Sequence, residues 1–153
     1  MISEPQIVES PQQRIAFIRV QTPRGEIVKA MHAGLEELSR VLNKQKVASA
    51  GPWFTHHFRR PDESFDFRIC FPVESEVEPE GRVEAGELQA ARVVQAIYSG
   101  GYEGLGGGWG ELHEWIAARE LKTRDDLWER YLVGPETGSD TAEWRTELNR
   151  PLE

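Results

Sequence analysis

Glu129 is the residue whose setting most suggests chemistry. Leu127, Glu129, Tyr131 and Val133 alternate along one face of an expected strand from Asp126 to Val133, and Trp128, Arg130 and Leu132 fall on the other face. Glu129 is then the only charge on an otherwise apolar and aromatic face. A carboxylate so placed loses hydration, which costs several kcal/mol unless the group is hydrogen-bonded or paired. It can offset the charge of a bound cation, act as a general base on a water molecule, or simply pair with an arginine near the sheet edge.

Other strand faces add rings to this picture. Phe54, His56 and Phe58 alternate along an expected strand Trp53–Phe58, so His56 stands in the first half of the chain where Glu129 stands in the second. Phe65, Phe67, Ile69 and Phe71 form a wholly apolar face, and Trp144, Thr146 and Leu148 a nearly apolar one. Together these could line an aromatic cavity with few polar groups, the usual makeup of a ligand pocket. Plainer readings stand beside this one. Phe65, Phe67 and Phe71 fit a core more readily than a pocket. Trp109 shares a helical stripe with Leu112 and Ile116 and suits either role. His56 reads as a satisfied core or edge histidine ahead of a functional one, because adjacent His57 suggests a segment that tolerates exposure.

The elements that must position these residues follow from periodicity. Ile15–Val20 reads as a strand, and Thr22-Pro23 supplies an N-cap and a first helical residue. Ile27, Val28, Met31, Leu35, Leu38 and Leu42 then recur at helical spacing over about 20 residues. Gly51-Pro52 breaks the chain before the strand with His56, and a turn at Arg60-Pro-Asp-Glu63 precedes the alternating Phe65–Phe71. Glu74–Gly86 is acidic and aperiodic and reads as a linker. The order then recurs: strand Leu88–Tyr98, a Ser99-Gly-Gly breaker, a helix carrying Leu105, Trp109, Leu112 and Ile116, and strands Asp126–Val133 and Glu143–Leu148. The expectation is a single α+β domain over residues 1–153, with pseudo-repeats near 13–73 and 87–152 and a linker at 74–86. Two β-α-β-β repeats would most economically share an antiparallel sheet, with two helices on one face and a central cleft.

Composition excludes several functions. A chain of 153 residues with 39% hydrophobic content builds one packed core. With the single Cys70 and no apolar leader before a small-residue cleavage site, a cytoplasmic protein is expected. No apolar run approaches the ~20 residues of a membrane helix. The net charge of −8 and the absence of a Lys/Arg patch disfavour direct nucleic-acid binding. His32, His56, His57, His113 and Cys70 follow no zinc-ligand spacing, and the glycines from Gly100 to Gly110 match no phosphate loop, so neither metal nor cofactor is expected. A Cys70 nucleophile is disfavoured because Asp66 shares its strand face.

Read together, Tyr98-Ser-Gly-Gly-Tyr-Glu-Gly-Leu105 with Trp109, Leu112 and Trp115-Ile116 resembles the GyrI-like effector-binding domains, whose second half carries a histidine or aromatic residue and then Gly-Pro-Tyr before its helix. Glu129-Arg-Tyr131-Leu-Val-Gly-Pro135 is similar to the family's Glu-x-Tyr strand, and Trp144-Arg-Thr-Glu-Leu148 with Pro151-Leu152 to its last strand and terminus. Phe65-Asp-Phe and Pro72-Val73 match the first half. Tyr102 falls on the motif tyrosine and joins the expected ligand contacts, whereas Gly101 replaces the usual proline and loosens that turn. The resemblance implies a duplicated strand-helix-strand-strand fold with a ligand cleft between the helices near a pseudo-twofold axis. It also implies that the Glu-x-Tyr glutamate supplies the pocket's negative charge. In multidrug-responsive activators such a domain is fused to a DNA-binding region, but no helix-turn-helix is expected ahead of this chain's first strand. Stand-alone members include gyrase-interacting proteins and hydrolases of cyclopropane-bearing DNA alkylators.

Two functions follow. As a binding module the chain would hold small lipophilic, planar or cationic aromatic compounds on Glu129, Tyr131, Trp144, His56, Phe54, Phe67, Tyr102 and Trp109. As a hydrolase it would use Glu129 as general base, with Tyr131 or His56 stabilising charge at the leaving end. Binding is favoured, since no nucleophile-base pair is visible. A protein partner such as gyrase is a third possibility that surface features would have to decide.

Overall fold

Period-two patterning in a strand buries one face, and period 3.6 in a helix supplies the stripe that covers it. The computed structural model of the chain describes residues 1–135, 138 and 140–153, and resolves these patterns into an α+β fold. In chain order the elements are β1 (Gln6–Ser10), β2 (Gln13–Pro23), α1 (Ile27–Gln45), β3 (Phe54–His57), β4 (Ser64–Pro72), β5 (Glu84–Leu88), β6 (Ala91–Ser99), α2 (Leu105–Ala118), β7 (Leu127–Val133) and β8 (Arg145–Pro151). They form two compact units, one spanning Pro11–Ala90 and the other combining Met1–Ser10 with Ala91–Glu153.

The expected β-α-β-β order occurs twice, as β2-α1-β3-β4 and β6-α2-β7-β8. Within the first unit the strands lie in the order β3-β4-β2-β5, and within the second in the order β7-β8-β6-β1. The pairings within each unit are antiparallel. Each unit therefore gains an outer strand that the pattern did not announce. β5 takes up the end of the expected linker, and the strand read as Leu88–Tyr98 is broken at Gln89-Ala90. Both added strands mix polar and apolar residues without a clear alternating face, so backbone pairing of β5 to β2 and of β1 to β6 makes them strands.

In the first unit α1 lays Leu38, Val41 and Leu42 against Ile18, Val20, Phe67 and Ile69. In the second, α2 lays Trp109, Leu112 and Ile116 against Val94, Ala96, Leu127 and Leu148. The start of α1 departs from expectation: β2 runs through to Pro23 and a 3-10 turn, Arg24–Glu26, intervenes, so Thr22 is not the cap. Val28, read onto the apolar stripe, is 68% exposed.

Cys70 is fully buried on β4, and burial pushes its thiol up to about 12. The protecting agent is desolvation; Asp66, expected to oppose ionisation, is instead paired to Arg19 at 2.9 Å. Iodoacetamide at mildly alkaline pH should therefore leave the folded protein unmodified and label it only as urea unfolds it, which mass spectrometry across the transition would show. Rapid labelling of the native protein would contradict this burial.

Candidate functional site

Several elements of the second unit converge on Glu129. β7 carries Glu129 and Tyr131, which are two residues apart and so share the face turned to α2. α2 brings Trp109, the 3-10 turn Tyr102–Gly104 brings Tyr102, and the chain entering β8 brings Trp144. Trp109 Nε1 donates to Glu129 Oε1 at 2.7 Å, and the Tyr131 hydroxyl donates to Oε2 at 2.7 Å. Tyr102 meets Tyr131 edge-on with ring centroids 5.8 Å apart, and Trp144 lies 5.0 Å from Tyr102. Trp109 and Tyr131 are each only 9% exposed, whereas Tyr102, Trp144 and Glu129 are half-buried.

Each carboxylate oxygen thus holds one neutral donor. Among the described residues no lysine, arginine or histidine stands within ion-pairing distance of Glu129. Arg130, its chain neighbour, lies on the opposite face and pairs with Glu147. The arginine-paired reading of Glu129 therefore fails. What remains is a half-buried negative charge, fixed in direction by two hydrogen bonds and bordered by rings. Such an arrangement attracts a cation that is itself easily desolvated.

Two supporting residues escaped the sequence reading. Tyr98 donates its hydroxyl proton to the Gly101 carbonyl at 2.8 Å and so ties down the turn that carries Tyr102. Its ring occupies the space left by glycines: a Cβ on Gly108 would come within 2.8 Å of Tyr98 Cδ1, and one on Gly104 would overlap the hydroxyl. That packing accounts for part of the glycine-rich run and secures a turn that lacks the usual proline. His113 stacks on Trp109 at 5.6 Å, one helical turn further on; the i,i+4 spacing was its signal.

Phe54, His56 and Phe67 lie in the first unit. Phe67 is fully buried beneath α1, and Phe54 is fully buried opposite Cys70. His56 is 7% exposed and accepts at Nδ1 from Arg68 Nε and Nη2, at 3.2 and 3.0 Å. His57 is also buried, against the expected tolerance of exposure, and stacks on Phe67 at 5.0 Å. Since Glu129 faces its helix, the β3 residues on the corresponding face are Thr55 and His57, opposite Ile69 and Phe67; His56 lies on the other face, so its expected equivalence with Glu129 does not hold.

Among the described residues no group of three or more His, Cys, Asp or Glu is placed to hold a metal ion, and no helix is long and apolar enough to cross a membrane. No curated protein matches the chain. Solved structures do. The C-terminal domain of EcmrR is similar over 98% of this chain and 97% of its own, with a TM-score of 0.88 and 20% identity. In an EcmrR–DNA complex the likeness covers 98% of this chain but only 57% of the EcmrR chain, with a TM-score of 0.87 and 20% identity. SAV2435 bound to tetraphenylphosphonium gives a TM-score of 0.70 at 12% identity, covering 99% of this chain and 94% of that one. A hydrolase from Listeria innocua gives 0.66 at 13% identity, covering 98% and 92%. The model of the GyrI-like small molecule binding domain matches residues 3–153, and the chain belongs to that family.

Proposed function

We propose that this member of the family captures lipophilic, planar or cationic aromatic compounds, with Glu129 offsetting the ligand's charge. The observation that carries the reading is the hydrogen-bonded but unpaired carboxylate of Glu129 among Trp109, Tyr131, Tyr102 and Trp144. Trp109 and Tyr131 hold the charge in place from beneath. Tyr102 and Trp144, being less buried, offer ring surface on which a planar ligand stacks. The tetraphenylphosphonium bound to SAV2435, a lipophilic cation, has the chemistry that this arrangement suits.

The test is a titration with tetraphenylphosphonium followed by tryptophan fluorescence and by calorimetry. Saturable quenching is expected, and Trp144→Ala should weaken binding by about 1–3 kcal/mol through loss of the stacked ring. Unchanged affinity in that variant would return Trp144 to a packing role, and no saturable binding by the wild type would remove the reading altogether.

A further inference from the structure

The face of the first unit turned away from α1 carries a second charged and aromatic cluster, of opposite sign. Arg19 on β2 and Arg68 on β4 are register partners, directly opposite one another. Both guanidinium groups lie over the same ring, Phe58, with Arg19 Cζ 4.9 Å and Arg68 Cζ 5.8 Å from its centroid. Phe17 flanks Arg68 on another side, at 4.9 Å. Like charges directly opposed across a strand pair repel, and here they border one ring, which excludes part of the water that would screen them.

The charges are not evenly compensated. Asp66 takes Arg19 in a two-pronged contact, with Nε to Oδ1 at 3.1 Å and Nη2 to Oδ2 at 2.9 Å. Arg68 receives no carboxylate among the described residues: Nε and Nη2 donate to His56 Nδ1, and Nη2 also donates to the Glu87 carbonyl at 3.2 Å. An arginine N–H can only donate, so His56 Nδ1 is an acceptor here and brings no negative charge. The two protons on Nη1 have no acceptor among the described residues. Gly86 lies beside them: a Cβ there would meet the Phe17 ring at 2.7 Å, so the glycine lets Phe17 pack next to Arg68.

The geometry points to an anion subsite at Arg68 and Arg19, taking the carboxylate or phosphate group of a small molecule whose apolar part lies on Phe58. An oxyanion there would accept from Arg68 Nη1, relieve the opposed arginines and supply the negative charge that Arg68 lacks among the described residues. The site lies within Pro11–Ala90 and does not depend on Glu129.

Phenyl phosphate and benzoate are the probes, titrated at constant ionic strength into the whole chain while the arginine Nε–Hε signals are followed by NMR. A saturable shift of the Arg68 signal at millimolar probe is expected, with affinity about tenfold weaker in Arg19→Gln and no binding in Arg68→Gln. The probe with the larger response identifies the preferred oxyanion. Should Arg68→Gln not fold, Arg19→Gln decides, because it leaves the Arg68–His56 hydrogen bonds intact. No saturable shift in the wild type, or equal affinity in Arg19→Gln and wild type, would overturn the proposal.

Discussion

Phe67→Ala is expected to cost about 3–5 kcal/mol of stability, the range for truncating a fully buried aromatic residue. The ring is 0% exposed and touches two others, His57 at 5.0 Å and Phe65 at 6.2 Å. It also belongs to the cluster in which α1 meets β2 and β4, with Leu38, Ile18 and Ile69. Removing it leaves a cavity that close-packed neighbours fill only in part. Urea unfolding would show the loss as a lower midpoint with an unchanged slope. The result also separates two roles for this residue. A ring that lines a pocket can be truncated with little loss of stability and a clear loss of ligand affinity. A stability loss under about 1 kcal/mol, close to what a surface substitution costs, would return Phe67 to the ligand contacts.

What the sequence made legible was set by contrast between neighbours. β7 could be phased because Glu129 interrupts an apolar face, and that phase holds in the structure, where the carboxylate turns to α2. β3 has no such contrast: all four residues, Phe54 to His57, are buried, so alternation carries no phase and His56, which lies on the face away from α1, does not correspond to Glu129. The central strands and both helices followed from period, whereas β1 and β5 did not, because an outer strand needs a backbone partner more than an apolar face. Helical spacing placed Trp109 on the buried stripe but could not show where the edge of its indole points. That direction is what joins it to Glu129. The role of Tyr98 was hidden in a similar way, since a run of glycines states that space is needed and not which side chain fills it.

The second large effect concerns the charge itself. Glu129→Gln keeps the side chain's shape and an acceptor for Trp109, while Tyr131 can turn its hydroxyl to accept from the new amide, so the fold should survive. Only the charge and the basicity are lost. For a cation roughly 5 Å away in a half-exposed site, the Coulomb term after allowance for solvent screening is about 1.4–2.8 kcal/mol, or roughly tenfold to a hundredfold in affinity. A neutral ligand of similar shape has no such term to lose. A hydrolase would behave differently: turnover of a cyclopropane-bearing alkylator would fall at least ~10²-fold in the variant while the neutral substrate still bound. Wild-type protein that leaves such alkylators intact would count against hydrolysis.

The most direct measurement is therefore a paired calorimetric titration of wild type and Glu129→Gln with tetraphenylphosphonium and with neutral triphenylphosphine oxide, at low and high salt. Electrostatic capture by Glu129 predicts that the variant loses about tenfold or more in affinity for the cation, less so at high salt, and changes little for the neutral compound. Equal cation affinity in the two proteins, or an equal loss for both ligands, would contradict it.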